Sequence, residues 1–314
     1  MLAAAKDVVL EPSSDWTLTE TPQSCAVTRE FENDGRKVVL QIENHTLGPL
    51  LKMVVVTGDY QLAKAKLGRS GLSTGFLPGK TFDWRTWPAS LPDGRQGVSF
   101  PYAFALQVNE DQLKAVEGDN ADENMLQRLF SLARQRERDV DRLYVGNAFT
   151  RDIVLHTGSM RAPMVVMRSC LAGLARQYGL DWAKLDGASQ LARPLDMAGW
   201  VQRVQLSYPP EMKKKAIGAH FDLVITVEPN GVARACEVFG KAPAPEFVDA
   251  ACSVAYTEPF APALDAGGEP IRGVYSIGVT YVADGQPRRQ WGGGDYRPNL
   301  EPRVTGGESL PTAN

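Results

Sequence analysis

The chain has 314 residues, of which 43% are hydrophobic and 23% charged, enough for two ordinary domains with separate cores. Its net charge of -3 supplies no global attraction to nucleic acid or to an anionic membrane, so neither is expected as a partner. Its apolar runs, such as Met53-Val54-Val55-Val56 and Met164-Val165-Val166-Met167, fall far short of ~18 residues, so no transmembrane helix is expected.

Residues 1–15 read as a residual amino-terminal segment. Leu2-Ala3-Ala4-Ala5 has the small residues found at the end of a secretory signal, and the competing reading is an arbitrary alanine-rich terminus. Residues 16–196 form the first expected domain, an α+β unit that is mainly β with two substantial helices. Cys25, Val27 and Phe31 share one parity, as do Val38, Leu40 and Ile42 in the next run, with the turn signal Asn33-Asp34-Gly35 between them. Leu50 to Val56 reads as a buried strand, closed by Thr57-Gly58-Asp59.

Gly68, Gly71, Gly75 and Gly79 have the spacing of neither a phosphate loop nor a dinucleotide fingerprint and read as loops between short strands. Phe82 to Trp87 is aromatic and basic, but Phe82 and Trp84 alternate as one packed strand face would. Val98 to Val108 reads as a strand, and Asp111 to Val116 as a turn or two of helix. Asp122 to Arg138 is predicted as an amphipathic helix with Met125, Leu126, Leu129, Phe130, Leu132 and Ala133 on one face. Its arginines lie among carboxylates, which makes a solvated face rather than a nucleic-acid surface. A strand follows through Leu155.

His156-Thr157-Gly158-Ser159 resembles the Asp-Thr-Gly-Ser loop of aspartic proteases in three letters of four. That chemistry needs two carboxylates sharing a proton, whereas histidine stands here and no second such loop occurs, so the protease reading is rejected. Pro163 opens a helix closed by Gly179, with Met167, Cys170, Leu171, Leu174 and Tyr178 as its buried stripe. Asp181 to Ala198 reads as a polar connector containing the domain boundary.

The second expected domain covers residues 197–283. After Tyr208-Pro209, Glu211 to Ile217 reads as a helix stopped by Gly218. Phe221, Leu223, Ile225 and Val227 then alternate with His220, Asp222, Thr226 and Glu228 as a half-buried strand. Pro229-Asn230-Gly231 is a hairpin turn, and Val232, Arg234, Cys236 and Val238 share one parity of the return strand. Pro245 precedes a helix packed through Phe247, Ala251, Val254 and Ala255. A last strand alternates Tyr275, Ile277, Val279 and Tyr281 with Ser276, Gly278 and Thr280. Residues 284–314 lack periodicity and read as a flexible tail.

In these marks the module resembles the TonB carboxy-terminal domain family. They are Tyr208-Pro209, Gly218, Asn230-Gly231-Val232, the helix start from Phe247 to Ala251, Phe260-x-Pro262-Ala263, Gly268, Pro270 and the apolar last strand. Val248 departs from the aspartate frequent in the family. The resemblance implies a three-stranded antiparallel sheet with helices on one side, which takes up an extended peptide of an envelope protein by strand addition; some members dimerise. The edge it implies is Val274, Tyr275, Ser276, Ile277, Gly278, Val279 and Thr280. An unpaired edge presents free backbone donors and acceptors, which is why a peptide can extend such a sheet. The first domain is loosely similar to secreted alphaproteobacterial proteins through Trp16 and Cys25-x-x-x-Arg29-x-Phe31, a likeness that implies no activity.

In the family layout Cys236 and Cys252 face one another, and a bridge there stabilises by ~3 kcal/mol in the chain-entropy model. Cys25 with Cys170 is then the second pair; free buried thiols and a metal site are the competing readings. Zinc spacing such as Cys-x-x-Cys is missing, and neither a metal nor a cofactor is expected. No Gly-x-Ser-x-Gly or Ser-x-x-Lys serine stands in a credible strand-to-helix context. The expectation is therefore a periplasmic, non-enzymatic protein that binds an envelope protein or peptide. The alternatives are a secreted hydrolase with its site in the first domain, or a TonB-type energy transducer whose membrane anchor lies upstream.

Overall fold

A computed structural model describes residues 7–48, 50–61, 72–84, 86–90, 94–104, 133–240 and 244–282. In the first domain, eleven strands build one curled sheet: β1 (Val8–Pro12), β2 (Thr17–Glu20), β3 (Cys25–Asn33), β4 (Arg36–Asn44), β5 (Leu50–Thr57), β6 (Leu72–Leu77), β7 (Phe82–Trp84), β8 (Trp87–Ser90), β9 (Gln96–Phe104), β10 (Arg142–Gly146) and β11 (Ile153–Leu155). Their order is β7-β6-β10-β11-β1-β3-β4-β5-β9-β8, with β2 beside β3. The two outermost strands are consecutive in sequence, β7 ending at Trp84 and β8 beginning at Trp87. So short a link brings both rims together, and the sheet must curl towards a barrel to allow it.

β1 is the joint. Val8 to Leu10 pair in parallel with Ile153 to Leu155, and Glu11 and Pro12 then pair antiparallel with Glu32 and Phe31. Residues 8–12, expected within a residual segment, are thus built into the sheet. The β3–β4 hairpin turns on Asp34 (φ 49°) and Gly35 (φ 75°), the two positive φ values of a two-residue hairpin whose twist matches its strands. Leu10, Phe31, Leu40, Ile42, Val55, Val98 and Phe100 fill the interior. Helix α1 (Arg161–Gln177) adds Met164, Met167, Leu171 and Leu174, and the Cys25–Cys170 disulfide fastens it to β3. Pro163 lies in its first turn, where a missing N–H costs nothing. Gly179 (φ 66°) ends it, with Leu180 N–H donating to Ala175 O at 2.9 Å.

Of the helix expected over Asp122 to Arg138, residues 133–139 are described and helical; the remainder lies outside the described residues. So do Ala3 to Ala5, Gly68, Gly71, the helix expected at Asp111 to Val116, the side chains of Phe82 and Trp84, and the tail 284–314.

After α2 (Trp182–Leu185) the connector does not run free. Its β12 (Arg193–Pro194) pairs with β15 (Phe260–Ala261), Gln190 bridges to Leu264 in β16 (Ala263–Leu264), and β16 pairs with β17 (Pro270–Ile271). The second domain then sets α3 (Met197–Leu206), α4 (Pro210–Lys214) and α5 (Pro245–Thr257) around the sheet β14-β13-β18, formed by β13 (Ala219–Val227), β14 (Ala233–Phe239) and β18 (Gly273–Tyr281). The strands are antiparallel throughout.

Two expectations change. From Leu223 onward β13 is buried on both faces, Val224 and Thr226 as well as Leu223 and Ile225, because the first domain covers the face turned away from the helices; His220 stays exposed and Asp222 half-buried. The register also shifts between Thr226 and Val227, which places Ala233 rather than Arg234 opposite Val227. Val232 is consequently exposed while Ala233 is buried.

Candidate functional site

The helix-side face of the second sheet is closed by aromatic packing. Tyr281 is fully buried among Tyr208, Phe221 and Phe247, with ring centroids 5.2, 6.3 and 5.3 Å away. Farther along β18, Tyr275 meets the edge of Trp200 on α3 at 5.9 Å and the ring of Phe260 at 6.0 Å. Burial pushes the Tyr275 phenol well above its ordinary value, so it stays a neutral packing group. Cys236 on β14 is bonded to Cys252 on α5, with Cα atoms 5.6 Å apart. Helix α5 therefore covers the β14 side of the face and α3 the β18 side.

The two rims of this sheet differ. At β14, Gln23 of the first domain acts as a short strand: its Nε2 donates to Val238 O at 2.8 Å, and its Oε1 accepts from Gly240 N–H at 3.0 Å. Those contacts also fix which way each strand faces. Val238 turns its main chain outward, so Leu223 opposite it must bond towards β18. Leu223 pairs with Ile277, and alternation then directs Tyr275, Ile277 and Val279 inward to β13. Val274, Ser276, Gly278 and Thr280 turn their N–H and C=O groups out of the sheet. The contact of Gln205 agrees independently: its Nε2 donates to Thr280 O at 3.0 Å from outside the ladder. Among the described residues no strand pairs with β18 on this far side.

The sequence-predicted edge, Val274 to Thr280, thus lies within one rim strand, with four of its seven residues presenting main-chain groups. The flanking residues were not singled out from sequence. Helix α3 begins at Met197, inside the stretch Asp181 to Ala198 that the sequence presents as a polar connector. Its signals are present, however: Asp196 Oδ1 accepts from Gly199 N–H at 2.9 Å as an N-cap, and Trp200 and Val204 repeat at helical spacing. Met197 and Val201, at the same spacing, are exposed beside the rim, and Tyr275 Oη lies 3.4 Å from Met197 Sδ.

The opposite face of the sheet meets the first domain across a polar layer. His45 is buried and stacks on Phe239, and Lys52, Glu43, Asp222 and His220 surround the junction. His220 Nδ1 lies 2.8 Å from Thr280 Oγ1 across the strands. Desolvation lowers the pKa of His45, Lys52 and His220 alike, against the pull of Asp222. Such a layer holds two surfaces in register. Just past the other end of β13, Arg272 and Arg234 both pair with Glu228 and hold its carboxyl below the ordinary value, the hydrogen bond from Arg272 contributing most.

The other residues singled out serve the first domain. His156 pairs with Glu11, Thr157 is buried and its carbonyl accepts from Arg29, and Ser159 Oγ donates to Glu137 O. Among the described residues no three His, Cys, Asp or Glu side chains group as a metal site. No described helix is long and apolar enough to cross a membrane.

Residues 204–283 match the family model described as the Gram-negative bacterial TonB protein C-terminal, so a domain of this kind is present. The match begins within α3 and ends just beyond β18. No curated protein matches the chain.

Proposed function

We propose that this is a periplasmic protein that binds rather than catalyses, taking an extended segment of an envelope protein onto β18. The carrying observation is the asymmetry of the rims: the Gln23 amide closes β14, while among the described residues no strand pairs with the outward main-chain groups of β18, where Gln205 holds only the Thr280 carbonyl. An added strand satisfies those groups in pairs, which gives affinity largely independent of partner sequence. The family match to residues 204–283 supports the reading, because peptide uptake at a sheet edge is what the resemblance implies. Two disulfides, one in each domain, suit an oxidising compartment.

The test is amide hydrogen exchange on the full chain, with and without an envelope protein recovered by pull-down. Binding by strand addition protects Ser276, Gly278 and Thr280 and leaves β14 unchanged. Protection elsewhere, with these three amides unaffected, overturns the proposal.

A further inference from the structure

Helix α3 stands beside the open rim at two points. Tyr275 Oη lies 3.4 Å from Met197 Sδ, and Gln205 Nε2 reaches Thr280 O at 3.0 Å. The helix therefore runs along β18 in the same direction, with Val201 midway. Trp200 and Val204 are its buried stripe, while Met197 and Val201, one helical turn apart, remain 38% and 42% exposed. Both exposed residues precede the family-matched span of 204–283.

We infer that α3 selects the partner, an extended segment of a second protein with apolar side chains at two positions separated by one residue, seated on Met197 and Val201. The inference rests on the strand-addition reading. In a sheet, directly opposed residues share a face and alternate residues lie on opposite faces. Partner residues opposite Tyr275 and Ile277 therefore fall on the helix side, against the Met197–Val201 wall. The intervening residue, opposite Ser276, falls on the other face. There the rim carries Gly278 and Thr280, with His220 and Asp222 behind them on β13, and a polar or small side chain fits. The main chain of β18 supplies adhesion and the α3 wall supplies discrimination. An apolar pair covering the wall removes water from two side chains that the free protein leaves wet.

The probe is a displayed library of seven-residue peptides presented to the full chain, followed by fluorescence anisotropy on the enriched sequences. Two variants accompany the wild type. Met197→Ser with Val201→Ser alters two partly exposed side chains, one of them in contact with Tyr275, and Gly278→Pro removes an outward N–H that the sheet does not use. Retained near-ultraviolet circular dichroism verifies that each is folded. The inference expects apolar residues enriched two apart, a loss of affinity of at least about tenfold in the double serine variant, and loss of binding in Gly278→Pro. Binding that Gly278→Pro abolishes but the double serine variant leaves within about twofold overturns the role of α3 and keeps strand addition. Binding indifferent to Gly278→Pro overturns strand addition and the inference with it. Failure to enrich any peptide above the Gly278→Pro background does the same.

Discussion

His45 lies flat on Phe239, with ring centroids 4.0 Å apart and planes inclined by only 10°, and this stack joins the first domain to the end of β14. Burial is the largest influence on the imidazole and lowers its pKa; Lys52 acts in the same sense, while Glu43 and Asp222 oppose it. The folded chain thus resists a proton that the unfolded chain accepts near pH 6.5. Stability from the neutral imidazole is complete above that value and declines as pH falls towards the lowered folded pKa. His220 adds to the same trend, its pKa lowered by burial against Asp222. Thermal melting of wild type and His45→Phe between pH 7.5 and 5.5 checks this: the wild type loses more stability over that range than the variant.

The Gln23 amide is the next point of test, because it joins the domains and blocks a rim at once. Gln23→Ala removes two hydrogen bonds, a cost of about 1–3 kcal/mol in chemical denaturation. It also bares Val238 and Gly240, giving the sheet a second open edge. Concentration-dependent self-association in the variant, absent from wild type by analytical ultracentrifugation, is the expected outcome.

Much of this arrangement was legible because it is local. Asn33-Asp34-Gly35 announces a two-residue hairpin, since both central residues need positive φ, and the structure gives them that. The alternation of Tyr275, Ile277 and Val279 likewise marks one face of a strand. What was missed depends on distant partners. Nothing around Gln23 states that its amide meets a strand 215 residues later. The second face of β13 reads as solvated because its cover comes from another domain. Helix α3 was hidden by its neighbours: its cap, Asp196, closes a run of polar residues whose composition suggests a connector.

The two disulfides constrain loops of different size, with sequence separations of 145 and 16. In the chain-entropy model they stabilise by about 5 and about 3 kcal/mol respectively. Non-reducing mass spectrometry of the purified protein is expected to return Cys25 with Cys170 and Cys236 with Cys252. Replacing the second pair by serine frees α5 from β14 and lowers the denaturation midpoint, while the first domain keeps its bridge. Four freely alkylated cysteines in the native protein contradict this arrangement.

Gly231 separates stability from binding. Its φ of +80° disfavours any side chain, and a Cβ there would stand 2.3 Å from the carbonyl oxygen of Phe260. The approach is structural: Phe260 N–H donates to Gly231 O at 3.0 Å, which ties the β13–β14 turn to β15. Gly231→Ala therefore carries the backbone cost of ~1–2 kcal/mol and the displacement of Phe260, whose ring supports Tyr275. The outward main-chain groups of β18 are kept, since the turn joins β13 to β14 and Tyr275, the rim residue that Phe260 supports, turns its main chain inward to β13. The melting temperature is expected to fall, while partner affinity measured well below the transition stays within about twofold of wild type. A variant that folds at that temperature but has lost its partner would place the binding surface at the turn, away from β18.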